Sequence, residues 1–265
     1  MKRPVLAICI TLCSIWNYSN AQSVNLKDFE EVPLPILESK ELYQLNNRLN
    51  QEFAVSIVKG QLQINKSVYS PTIEYDLPQG KLLGVNHGEF GGGLYFKPND
   101  TTKKQIYVNV QLHSLNTKAD PFLRGLMIPS ANPTNKLIKN TILIKNGNIN
   151  KIFTYKNSLY IMESLAHMGL SYGAIHKLQV GADSIKGSLA IKFDDAPMQL
   201  SVYKENLYVA TLKRFYIIRN WQKELLLDNL FWSYLYPNSI AVKDEQHIYI
   251  GMRGGYAGAG SSGIA

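Results

Sequence analysis

One seven-residue pattern occurs twice in this chain. Tyr155, Lys156, Asn157, Ser158, Leu159, Tyr160, Ile161 and Tyr203, Lys204, Glu205, Asn206, Leu207, Tyr208, Val209 share Tyr-Lys-x-x-Leu-Tyr followed by an aliphatic residue, at a spacing of 48 residues. Apolar positions alternate on both sides of a short polar turn, which predicts a strand, a turn and a strand. Looser copies flank them at Leu94, Tyr95, Phe96 and at Ile248, Tyr249, Ile250, so the four Leu/Ile-Tyr pairs stand 65, 48 and 41 residues apart. A strand-built repeat of about 40–50 residues predicts the blades of a β-propeller.

The chain has 265 residues and 45% hydrophobic content, enough for one large domain with a substantial core. Lys2 and Arg3 open an apolar run from Val5 to Ile15, and Ser19, Asn20, Ala21 follow with small residues where a signal peptidase reads. The expectation is a signal peptide over 1–21, cleaved after Ala21, and export to the periplasm or cell exterior. The run is far shorter than the ~20 residues a membrane-crossing helix needs, so no integral segment is expected after cleavage. Both cysteines, Cys9 and Cys13, fall in this leader. Thiol catalysis and cysteine-held metals are therefore excluded from the mature chain. Losing Lys2 and Arg3 takes the 28 basic residues to 26 against 20 acidic ones, a net charge of +6. The lysines are scattered through turns rather than striped, which argues against nucleic acid.

From Gln22 to Phe53 the sequence predicts an extended lead-in, with Pro33 and Pro35, and a short helix capped by Ser39 with Leu42, Leu45, Leu49 and Phe53 on one face. The propeller domain is expected over 54–265. Ala54–Val58 and Gln61–Ile64 predict a hairpin about Lys59 and Gly60. Lys81–Val85 and Leu94–Lys97 predict strands across a glycine-rich turn, with Ile106, Val108 and Val110 as the returning strand. His113–Asn135 reads as an insertion. Asn146 and Gly147 suit a type I′ turn and predict that Thr141–Lys145 pairs with Asn148–Tyr155. A loop is expected at Leu165–Ser171, followed by strands at Tyr172–Gln179 and Leu189–Phe193. The next unit, Gln199–Tyr203, Leu207–Thr211, Phe215–Arg219 and Glu224–Leu227, has the four short strands of one blade. A last unit starts at Ser239–Val242 and Ile248–Met252, but Gly258–Gly263 lacks the alternation to continue it, so this unit reads as incomplete or truncated.

These four hairpins, over roughly 81–256, resemble the repeats of secreted bacterial β-propeller proteins of the broad YVTN and Kelch-like kind. The stretch Leu159–Leu178, with Leu165, Ala166, His167, Met168, Gly173, Ala174 and Ile175, is similar to repeats in uncharacterised exported members. The resemblance implies an all-β propeller of four-stranded blades, about five of them visible. It implies architecture rather than chemistry. The Trp-Asp dipeptide of Trp-Asp-repeat blades and the Ser-x-Asp-x-Gly-x-x-Trp box of sialidase-like propellers are both missing, so neither group's functional residues carry over.

Gly258, Gly260 and Gly263 match G-x-G-x-x-G, but the helix and second strand of a dinucleotide site do not follow. His87, Gly88 and Glu89 have the H-x-E of zinc deaminases without their cysteines. No cofactor and no metal site are expected. His176 reads as a structural strand residue and His247 as a turn residue. In a propeller the loops between second and third strands, with the connections between blades, share one face around the channel mouth. That face is expected to gather His167, Asp194, Asp195, Arg253, Trp232 and Tyr236 as ligand-binding residues. The leading expectation is a non-catalytic binding module offering this face to a protein or envelope glycan. The alternative is a hydrolase or lyase on a carbohydrate or lactone, using His167 with Asp194 and Asp195 as acid and base. Competing with both, Asp194 and Asp195 are also ordinary turn acids before Pro197.

Overall fold

A computed structural model describes residues 36, 39–40, 52–67, 70–88, 91–100, 107–110, 141–167, 170–182, 184–228 and 235–254. Among them the protein is all-β, with no helix long and apolar enough to cross a membrane. The expected leader, almost all of the expected helix, the insertion and the glycine-rich end lie outside the described residues.

Five sheets follow one another. The first pairs β1 (Glu52–Val58) with β2 (Gln61–Ser67). The second runs β3 (Thr72–Leu77), β4 (Gly80–Asn86), β5 (Gly92–Pro98) and then β7 (Ile142–Asn146). The third runs β8 (Ile149–Tyr155), β9 (Ser158–His167), β10 (Leu170–Val180) and β11 (Ser184–Phe193), with β6 (Tyr107–Val110) added outside β11. The fourth runs β12 (Pro197–Tyr203), β13 (Asn206–Thr211), β14 (Phe215–Arg219) and β15 (Gln222–Leu227). The fifth pairs β16 (Leu235–Val242) with β17 (Ile248–Gly254). All pairings are antiparallel except β6 with β11.

Strand alternation holds the sheets face to face. In β13, Leu207 and Val209 pack with Tyr160, Met162 and Phe193 of the third sheet, while Tyr208 and Ala210 pack with Ile240 and Ile250 of the fifth. In β9, Tyr160 and Met162 face the fourth sheet and Ile161 faces the second. Neighbouring residues of one strand therefore serve two different cores, as the period of two requires. Central strands such as β13 and β14 are buried on both faces, whereas the outermost strand β15 is exposed throughout. Phe53 and Val55 of β1 pack with Ala241 of β16, so the first sheet lies against the fifth. Phe53 is thus a strand residue and not the last apolar position of a helix. β1 comes so close that a Cβ on Gly251 would stand 2.4 Å from Phe53 O and 2.3 Å from Ser239 Oγ.

The repeated Tyr-Lys pattern is the turn itself. Lys156 and Asn157 (φ 45° and 56°) join β8 to β9, and Lys204 and Glu205 (φ 44° and 60°) join β12 to β13. Two consecutive positive φ values are those of a type I′ turn, whose twist matches the flanking strands. The copies stack: Tyr155 Oη donates to Glu205 O at 2.6 Å, Lys156 Nζ lies 3.7 Å from Glu205, and Lys204 Nζ lies 3.6 Å from Glu245.

Three sequence expectations are corrected. Thr141–Lys145 does not pair with Asn148–Tyr155: β7 closes the second sheet against β5, and β8 opens the third against β9. Each strand finds a separate free edge, and Gly147, at φ 124°, carries the chain between the sheets. The expected return at 106–110 is β6, and it adds to β11 of the third sheet because β7 already occupies the β5 edge. The expected loop at 165–171 is a continuation of β9 and β10 into a hairpin, pairing His167 with Leu170.

Two outcomes test this packing. Glu205→Gly removes a side chain from a left-handed position and should stabilise the protein by about 0.5–1 kcal/mol. Gly251→Ala should destabilise it by about 1–3 kcal/mol, because β1 must move away. Urea unfolding of each variant measures both.

Candidate functional site

The strand directions sort the connections into two ends. The turns at Lys59–Gly60, Pro78–Gln79, Lys156–Asn157, Lys204–Glu205 and Asn220–Trp221 lie at one end. The β9–β10 hairpin, the Leu212–Arg214 turn and the passages between sheets at 146–149 and 193–197 lie at the other, here called the connection end. His167, at the tip of β9, and Asp194 and Asp195, between β11 and β12, are at this end. So is Tyr236, which pairs with Arg253 across β16 and β17. Trp232 and the side chains of His167 and Arg253 lie outside the described residues, and Tyr236 is partly buried.

The two aspartates part company. The Asp194 side chain is 78% exposed and lies 3.7 Å from Lys223 Nζ. The Asp195 side chain is 4% exposed. Its Oδ2 accepts from Thr211 Oγ1 and from Lys213 N at 2.9 Å, and Arg214 Nη1 lies 3.5 Å from Oδ1. Thr211 Oγ1 in turn accepts from Arg214 N at 2.8 Å, and Thr211 N donates to Arg214 O at 2.8 Å. Asp195 therefore fastens the tight β13–β14 turn, the turn-acid role that short Asp side chains fill well.

A cavity of about 190 Å³ opens at the connection end, and all five sheets reach it. Glu52 and Ser67 come from the first sheet, Ile73 and Asn86 from the second, and Ile149 and Asn150 from the third. Met198 and Gln199 come from the fourth, and Pro237 and Asn238 from the fifth. Three of the strands carry a β-bulge at one and the same place. Ile149 and Lys151 oppose consecutive residues of β9, Pro197 and Gln199 oppose consecutive residues of β13, and Pro237 and Ser239 oppose consecutive residues of β17. The extra residues are Asn150, Met198 and Asn238, and each one lines the cavity. Bulges re-aim side chains in this way beside binding sites.

Amides knit the wall. Asn86 Nδ2 donates to Asn150 Oδ1, and Asn150 Nδ2 donates to Ser164 Oγ and to Pro197 O at 3.2 Å. Three sheets are joined by those bonds. Behind the wall Lys151 Nζ donates to Gln199 Oε1 at 3.2 Å and Leu200 O at 2.8 Å. Burial between neutral acceptors pushes its ammonium pKa down.

A second polar group lies between the second and third sheets. Lys145 Nζ donates to Glu163 Oε2, and His176 Nε2 lies 2.8 Å from Glu163 Oε1. Lys145 and His176 are 5% and 1% exposed. Burial alone would raise the Glu163 carboxyl, but the His176 hydrogen bond and the Lys145 charge together hold it below the usual carboxylate range. Tyr172 is pushed up to about 12 by burial and by the Glu163 charge. Among the described residues no group of three or more His, Cys, Asp or Glu is placed to hold a metal ion.

The sequence reading placed the candidate face by topology but missed the side chains that shape it. Asn150, Met198 and Asn238 stand ten, ten and eleven residues before the repeated Tyr160, Tyr208 and Tyr249, a nearly constant offset that carries the usable signal. No protein-family model matches the chain, and no curated protein matches it in sequence.

A carboxyl whose folded pKa lies below its ordinary 4.5 adds stability that is fully present above pH 4.5 and is lost as the pH falls through the folded value. Glu163→Gln should cost about 3–5 kcal/mol at neutral pH, because it strands the Lys145 charge. It should also flatten the acid limb of stability below pH 4.5, measured by urea unfolding across pH.

Proposed function

We propose that this chain is an exported β-propeller binding module of the secreted YVTN and Kelch-like kind, presenting its connection end to a protein or envelope glycan without catalysing a reaction. The observation that carries the reading is the convergence of all five sheets on one cavity at the end where the chain passes from sheet to sheet. In this reading the five sheets are five blades. β3, β8, β12 and β16 are the innermost strands, and β1–β2 stands between the last and first repeat units. Export rests on the leader features of residues 1–21.

The alternative, a hydrolase or lyase, needs His167 to meet both aspartates. Asp195 is already committed to Thr211, Lys213 and Arg214, and Asp194 faces solvent beside Lys223. That divergence favours binding over acid–base chemistry.

Incubating the exported chain with isolated, insoluble envelope polysaccharide separates the two. Co-sedimentation without new reducing ends, unsaturated products or lactone opening is the expected result. Product release that disappears in Asp195→Asn would establish the enzyme instead.

A further inference from the structure

The chemistry of the cavity narrows what it can receive, an inference that rests on reading the connection end as a binding face. Two of its four carboxamides are consumed by the protein. Asn86 bonds Asn150 and accepts from Gly88 N at 2.8 Å, and both hydrogens of the Asn150 amide are taken by Ser164 and Pro197. The other two are only half used. Gln199 Oε1 is committed to Lys151, so what Gln199 offers a guest is its N–H. Asn238 Oδ1 accepts from Ser239 Oγ at 2.8 Å, and Asn238 Nδ2 is buried with no acceptor among the described residues. A buried donor left unpaired is costly; the nitrogen has no accessible surface of its own, so it meets a guest acceptor in the adjoining cavity when the amide turns.

The remaining wall is apolar but not aromatic, with Ile73, Ile149, Met198 and Pro237. Glu52 supplies the lining's one ionisable side chain among the described residues, and its sign disfavours an anionic guest. At about 190 Å³ the space is smaller than the roughly 300–1,000 Å³ that drug-sized ligands occupy. One ring fits and an extended chain does not. A sugar ring combines hydroxyl oxygens that accept from amide N–H groups with C–H faces that pack on aliphatic side chains, which is the division this wall presents.

We propose that the cavity holds the terminal residue of a neutral saccharide chain, with Gln199 and Asn238 donating to its hydroxyl oxygens. Calorimetric titration of the full chain with neutral hexoses, N-acetylhexosamines and their short oligomers tests this. Saturable binding is expected, weakened tenfold or more in Asn238→Leu and in Gln199→Met and unchanged in the distant Lys186→Ala. Without sugar, both variants should still melt in one cooperative transition, Asn238→Leu losing the unpaired donor together with the acceptor of Ser239 Oγ; this separates lost recognition from lost folding. Saccharide binding equally tight in both cavity variants would overturn the assignment, as would binding of neutral peptides in place of saccharides. Should envelope polymer bind at the connection end with both variants behaving as the parent, this inference fails while the binding-face reading stands. Should nothing bind at that end, both fail.

Discussion

Each interior sheet in this protein, the third, fourth and fifth, has two apolar faces and must bury both. A four-stranded antiparallel meander with residues such as Leu207 and Tyr208 side by side cannot satisfy this alone, since one of the two always points away from any single partner. The answer is a succession of sheets in which every interior one is sandwiched: Leu207 and Val209 against the third sheet, Tyr208 and Ala210 against the fifth. Burial of each such side chain contributes about 1.5–3 kcal/mol, so the stacking is the main source of stability. Residues of β1, β3, β8, β12 and β16 also line one common cavity.

The two ends of the sheets have then been given different tasks. The turn end holds five two-residue turns, and its loops are tied from sheet to sheet by Tyr155, Lys156 and Lys204. The lysines there are exposed and their ion pairs are weak; the Tyr155 bond to a backbone carbonyl is the firmer link. The connection end is irregular by design of the backbone. Bulges at Asn150, Met198 and Asn238 break the pleat where strands enter from the passages between sheets, and amide bonds among Asn86, Asn150 and Pro197 hold the distorted strands together. Lys145, Glu163 and His176 brace the adjoining passage at Gly147, whose missing Cβ would stand only 3.0 Å from Glu163 Oε2. Polar groups buried this way are expensive unless satisfied, which is why they concentrate at one end and in few residues.

The repeated Tyr-Lys turn made the strands, their alternation and their grouping legible, because period-two burial is a local property of sequence. The fourth sheet was readable strand by strand for that reason. Pairing partners were less legible. Asn146 and Gly147 carry the composition of a hairpin turn, yet β7 and β8 belong to different sheets, since pairing depends on which edges remain free after β5 and β9 are placed. The same competition sent β6 to a neighbouring sheet. For the site, strand direction alone placed His167, Asp194, Asp195 and Tyr236 at one end. Which of two adjacent aspartates turns inward depends on Thr211 and Arg214, residues sixteen and more positions away. The bulged amides were overlooked because a single Asn at a strand start reads as a turn residue.

The central claim is that the connection end, and not the turn end, is the face that meets a ligand. Hydrogen–deuterium exchange of the full chain, with and without saturating neutral oligosaccharide, tests it most directly. The account predicts slowed exchange at 86–88, 148–151, 197–200 and 237–240, with no change at Lys156–Asn157 or Lys204–Glu205. Slowing confined to those turns, while the cavity segments exchange as before, would contradict it.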